Sequence, residues 1–334
     1  MSEIAPHEAA VWYGKDLATD PSWRYPLSPA QIDDLHRAMD SVAQRRLQLA
    51  AIDRTAFALP NWQKLIAEAR RQVEVGRGFA LLRGIPVDRY SVPELELLFW
   101  GIGTHLGIGV TQTAASEFIA HVTDKGPVSG LRRGFQTNRE AKFHIDLADA
   151  VGLLCIRQAK SGGQSLLASS ATAFALLRRE RPDLLPILTR GFAWDRREEH
   201  GPGEEPVGPL IPIFASYDGH FRCTYNRNFL ETVYKRRGTV MTAAEIEALD
   251  TLDRIIDREE LHLSMDFQPG DIQLVSNETV LHARSAYEDF EAQDRRRHLL
   301  RLWWDFDGAS TRNGAIGPLP YGNLGRAVRE TAPT

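Results

Sequence analysis

The sequence predicts one α+β domain, with helices at its front and a β-sandwich or barrel behind them. Two observations carry that prediction. Capped amphipathic segments occupy the first part of the chain, and from about Phe143 short apolar runs alternate with turn residues. No linker, internal repeat or low-complexity tract divides the 334 residues, a length within reach of a single β-rich domain. On this reading residues 1–75 form a helical front, 76–307 the strand-rich core with inserted helices, and 308–334 a Gly/Pro-rich tail.

Taken in order, Ser28 with Pro29 and Gln31 is a capping box at a helix start, after which Ile32, Leu35, Met39 and Val42 recur at helical spacing. GRGFALLRGIPV, from Gly76 to Val87, is an apolar strand between glycines. A second capping box, Ser91 with Glu94, opens a helix that turns Leu95, Leu98 and Phe99 inward. VGLLCIRQA (151–159) reads as a strand ended by SGGQS (161–165). Ser170 is placed as the cap of a helix over roughly 171–180 that stops before Pro182. IPIFASY and HFRCTYN form a hairpin around Asp218-Gly219. Thr242 with Glu245 opens another helix, with Ile246, Leu249 and Ile256 on its apolar side. Pro269-Gly270-Asp271 turns the chain into the strand IQLVS, and HLLRLWWDF (298–306) is a late strand.

Composition narrows the function. Hydrophobic residues make up 43% and charged residues 25%, with a net charge of −4 and a pI near 6.2. These values give no footing for nucleic-acid binding. No apolar run approaches the about 18 residues needed to span a bilayer, and MSEIAPHEAA lacks the basic and apolar regions of a signal peptide. Cys155 and Cys223 lie in apolar segments and read as reduced core thiols. The expected location is cytoplasmic.

Among the ten histidines, His144 stands out in KFHIDLAD because Asp146 lies two residues on. On a strand the two point to one face while Phe143, Ile145 and Leu147 point to the other. That pair could be an ordinary hydrogen-bonded His–Asp, or half of a metal site. His282 follows an apolar Val280-Leu281 in ETVLHARSAYED. In RRRHLLRLWW, Arg297, Leu299, Arg301 and Trp303 share one strand face, with His298, Leu300, Leu302 and Trp304 on the other. Two arginines on an apolar strand are either solvated at a barrel rim or paired with an anion, since burying them alone is costly. A carboxylate cosubstrate would fit, because guanidinium grips carboxylate as a fork. The remaining histidines, including His105, His121, His220, His262 and His298, read as packed or surface side chains. Trp303 and Trp304 read as core.

Together GRGFALLRGIPV, GFQTNREAKFHID with DAVGLLCIRQAKSGGQSLLASS, and NETVLHARSAYED with RRRHLLRLWW resemble the taurine and 2,4-dichlorophenoxyacetate dioxygenases, the TauD/TfdA family, from about Gly76 to Asp307. The resemblance implies a double-stranded β-helix, or jelly roll, flanked by helices. It implies that His144, Asp146 and His282 bind iron(II), leaving metal positions for 2-oxoglutarate and O₂. It also implies that Arg297 and Ser165 hold the far carboxylate of 2-oxoglutarate and that Arg301, the family's second arginine nearer the interior, is a further cosubstrate-binding residue. Strand parity favours Arg297 over its neighbour Arg296 in that role. Asn277 matches a family asparagine with a structural part. The expected reaction is hydroxylation of a C–H bond of a small organic substrate, with release of succinate and CO₂. Asp146 disfavours halogenation, because the related halogenases lack that carboxylate. A homo-oligomer is the family habit.

For the substrate, Gln112, Gln136, Thr137, Asn138, Tyr225 and Asn226 are the candidate contacts. Two other readings stay open at this point. One is a cupin-type metal hydrolase or lyase using the same His/Asp/His set, which needs neither the arginine pair nor Ser165. The other is a non-catalytic sensor on a jelly roll.

Overall fold

A computed structural model of the chain describes residues 4–112, 117–126, 136–196, 205–217 and 219–306. A short α1 (Gly14–Leu17) and β1 (Arg24–Pro26) precede α2 (Pro29–Arg45), α3 (Gln63–Glu74), β2 (Phe79–Arg83) and α4 (Val92–Leu106). The front is therefore not purely helical, since β1 runs parallel to β2. Both expected capping boxes are present, Ser28 with Gln31 on α2 and Ser91 with Glu94 on α4.

Next come β3 (Ile108–Val110), β4 (Ile119–Val122), β5 (Ala141–His144), β6 (Ala150–Arg157), β7 (Ser161–Gly162) and β8 (Ser165–Ser169). α5 (Ser170–Glu180) follows, then α6 (Leu185–Arg190), β9 (Phe192–Asp195) and β10 (Val207–Ile211). The cap of α5 is Ser169, one residue before the position expected, because the Ser169 hydroxyl accepts the Thr172 amide at 2.9 Å. β11 (Phe214–Tyr217) and β12 (His220–Cys223) form the expected hairpin, although Asp218 of its turn lies outside the described residues. α7 (Arg227–Arg237) and α8 (Ala243–Ile256) precede the last strands, β13 (Leu263–Met265), β14 (Asp271–Ser276), β15 (Val280–Arg284), β16 (Tyr287–Glu288) and β17 (His298–Asp305). On α8 the Thr242–Glu245 box holds, with Leu249 and Ile256 buried; Ile246, expected on the same apolar side, is 41% exposed. The tail read from residue 308 lies outside the described residues.

Two sheets build the core. One runs β1-β2-β14-β6-β17-β3 with β4 also on β17; the other runs β13-β8-β15-β5. Side chains from their facing surfaces, among them Phe79, Val151, Leu167, Val275, Leu299 and Trp303, pack together. Behind the larger sheet, Leu300, Leu302 and Trp304 of β17 meet α2, α3 and α4. Behind the smaller sheet, Leu281 and Ala283 of β15 meet α5 and α8. This is the jelly roll flanked by helices. Alternation along β14, β15 and β17 decides which residues face the space between the sheets.

Candidate active site

β15 sends Leu281 and Ala283 outward, so His282 and Arg284 face the interior of the roll. Its register places His282 opposite His144 of β5 on one side and Leu167 of β8 on the other. The two imidazole centroids are 4.4 Å apart. Asp146 lies two residues beyond His144, past the end of β5, where Asn277 holds it: the Asn277 Oδ1 accepts the Asp146 amide at 3.0 Å and its Nδ2 donates to the Ala148 carbonyl at 2.9 Å. The structural part expected for Asn277 is thus visible as a brace on Asp146.

One ligand atom from each of His144, Asp146 and His282 lies within 4.8 Å of the others, and no other such cluster exists among the described residues. His144 donates Nδ1–H to the Lys142 carbonyl at 2.8 Å, which leaves Nε2 as its lone-pair nitrogen. Burial, and then the neighbouring His144, hold the His282 pKa down at about 3, so its ring is neutral. Burial alone would raise the Asp146 pKa, but the charge of Arg301, with the neighbouring imidazoles and the Trp303 hydrogen bond, outweighs it and keeps the carboxyl ionised. Two imidazoles and one carboxylate converging on a cavity are a donor set suited to iron(II), with positions left open for other ligands.

Asp146 is held from β17. Trp303 Nε1 donates to Oδ2 at 2.8 Å and Arg301 Nη1 approaches the two oxygens at 3.2 and 3.4 Å. Trp303 was expected to be core; it is packed there, yet it also lines the cavity and orients a carboxylate of the site. Losing such a partner typically costs 10–100-fold in metal affinity. Trp303→Phe keeps the ring and removes the N–H, and is expected to weaken ferrous binding about tenfold, measured by anaerobic titration, with the thermal melt nearly unchanged.

The cavity, about 510 Å³, is lined by the triad together with Ser165, Arg284, Arg297, Arg301 and Trp303. Arg297 is 4% exposed, and its Nη1 has no hydrogen-bond partner among the described residues. Gly163 packs against it: with φ +76° and the Arg297 Nε 3.2 Å from where a Cβ would sit, the SGGQS loop can approach the guanidinium only as glycine. Ser165 also faces the cavity and exchanges hydrogen bonds with the buried Gln273 at 3.0 and 3.2 Å. Arg301 directs its hydrogen bonds to Asp146 and, through Nε, to Gln112 Oε1 at 2.7 Å.

The substrate candidates fare unevenly. Gln112 lines the cavity, but its amide is engaged with Arg301 and the Phe118 carbonyl, which makes it a brace. Gln136, Thr137 and Asn138 are not among the lining residues. Tyr225 is fully buried in the cluster behind the smaller sheet and gives its hydroxyl to Asp253, so it does not reach the cavity. Its neighbour Asn226 does. Sequence reasoning missed Arg284, although the parity that places His282 inward also places Arg284 inward, two residues on. His105 and His262 bond to carbonyls, and His121 and His298 to each other, so none joins the triad. No helix among the described residues is long and apolar enough to cross a membrane.

Comparison with known proteins agrees with this geometry. Residues 31–303 match the family described as taurine catabolism dioxygenase TauD, TfdA family. The chain is 35% identical over 300 residues to the FR-33289 synthase of Streptomyces rubellomurinus, covering 88% of each chain. It is 28% identical over 310 residues to the taurine hydroxylase-like protein SAT17 of Stachybotrys chartarum, covering 89% of this chain and 78% of that one. A solved asparagine oxygenase, in complex with Fe(II), 3-hydroxyasparagine and succinate, superposes with a TM-score of 0.68 at 18% identity, covering 88% of this chain and 98% of the other. The chain belongs to the TauD/TfdA family and is an iron(II)- and 2-oxoglutarate-dependent dioxygenase.

Proposed function

We propose that His144, Asp146 and His282 hold the iron, that Arg297 and Ser165 seat the far carboxylate of 2-oxoglutarate, and that the enzyme hydroxylates a small polar molecule. The observation that carries this reading is the meeting, in one cavity, of the triad and a buried guanidinium with an unpartnered Nη1. When bound, iron(II) supplies O₂ activation coupled to decarboxylation of 2-oxoglutarate to succinate and CO₂. The protein's own part is positional. Arg301, Trp303 and Asn277 fix the Asp146 carboxylate, the Lys142 carbonyl fixes the tautomer of His144, and the apolar faces of Val151, Leu153 and Phe267 exclude water.

Charges of both signs line the cavity, Lys142 and Arg227 beside Glu140 and Glu231, which suits a polar or zwitterionic substrate rather than a lipid. A hydrolase or lyase on the same triad has no use for a buried arginine beside Ser165. We read the enzyme as a cytoplasmic homo-oligomer with no nucleic-acid or membrane partner, in keeping with its buried free thiols and near-neutral charge. Adding iron(II) and 2-oxoglutarate under anaerobic conditions should give the visible metal-to-ligand charge-transfer band of a chelated keto acid. A protein that binds iron and shows no such band would refute the reading.

A further inference from the structure

We infer that Arg284 is a second guanidinium of the 2-oxoglutarate seat and that it ties this seat to the segment leading into β5. The inference rests on the proposed reading of Arg297 and Ser165. Cross-strand register sets Arg284 directly opposite Ser165, on neighbouring strands of the smaller sheet. Both side chains line the cavity with Arg297.

The two guanidiniums share a wall. Their central carbons lie 4.9 and 5.0 Å from the centroid of the Tyr287 ring, Arg284 and Arg297 respectively. Each is buried, 8% exposed for Arg284, and each keeps a nitrogen without a hydrogen-bond partner among the described residues, Nε of Arg284 and Nη1 of Arg297. Two buried like charges against one ring are costly. Asp124 and Asp289 offset part of this, Asp289 by facing Arg297 and accepting its backbone amide at 2.7 Å. One carboxylate received by both free nitrogens would satisfy them together.

The other end of Arg284 is already committed. Its Nη2 donates to the Thr137 carbonyl at 2.8 Å and to the Arg139 carbonyl. These residues lie just before β5, the strand that carries His144. An anion on Nε therefore stiffens a side chain that holds the approach to a proposed iron ligand. Arg284 is in this sense both a contact of the cosubstrate and a positioning residue.

The test loads the full chain with manganese(II) and titrates N-oxalylglycine, a 2-oxoglutarate mimic that does not turn over, by calorimetry. Arg284→Met is expected to weaken binding about tenfold at saturating manganese, the size of one lost charge-assisted hydrogen bond. Arg284→Lys, which keeps the charge without the fork, should bind between the two. Hydrogen exchange across 137–144 should slow when the mimic binds to the native protein, and not in Arg284→Lys. If both Arg284 variants bind the mimic like the native chain while Arg297→Met binds it poorly, the inference is overturned and the proposed seat stands. If Arg297→Met also binds normally, the proposed seat itself falls. Should Arg284→Met not fold, Arg284→Lys and the exchange measurement decide.

Discussion

Asp146→Ala is expected to abolish turnover and to weaken ferrous binding beyond the 10–100-fold typical of losing an outer partner. It should also damage the metal-free protein. Arg301 is buried against Asp146, and removing one member of such a pair leaves an uncompensated charge at a cost of about 3–5 kcal/mol. Denaturant unfolding of the metal-free variant reads that cost separately from metal binding. Asp146→Asn divides the two effects further, because an amide oxygen can still accept from Trp303 but brings no charge to Arg301. An alanine variant with native iron affinity and turnover would end the assignment of Asp146 as a ligand.

The second large effect is expected at Arg297. Arg297→Met should raise the KM for 2-oxoglutarate about a hundredfold, since two hydrogen bonds to a charged group are worth about 1.5–3 kcal/mol each and are not fully additive. At saturating cosubstrate the kcat should stay close to native, because the proposed seat puts Arg297 at the end of the cosubstrate remote from the metal. Stability should move the other way. Without cosubstrate, Arg297 is a buried cation with an unpartnered nitrogen, and exchanging such a group for a hydrophobic side chain is often neutral or stabilising. A cosubstrate-free variant that melts at or above the native temperature, with an unchanged KM, would show that Arg297 holds nothing.

What could be read from the sequence was what depends on near neighbours. The three capping boxes marked α2, α4 and α8 because each side chain bonds an amide three residues away. α3 and α7 escaped notice because Trp62 and Asn226, at their starts, make no side-chain cap. Period-two alternation put Arg301 and Trp303 on one face of β17, but nothing local could say that this face is the inner one or that Asp146 stands opposite it, more than 150 residues away in sequence. The bracing part of Gln112 was hidden for the same reason. Its partner Arg301 is 189 residues distant, so nothing in VTQTAAS announces the hydrogen bond between them. Arg284 was legible in principle, from the parity of LHARS, but its purpose depends on the register with Ser165.

The three triad residues stand on unequal ground. His282 sits on a strand paired on both sides, and Asp146 is clamped by Arg301 and Trp303 from β17, deep in the larger sheet. His144 lies on β5, four residues long, at the rim of the smaller sheet and paired with β15 through an irregular register. Edge segments with few pairings open most readily. Were β5 to fray, His144 would leave the proposed metal site while the carboxylate and the second imidazole stay held, so the rate of metal exchange is expected to follow the opening of one short strand rather than the stability of the whole molecule.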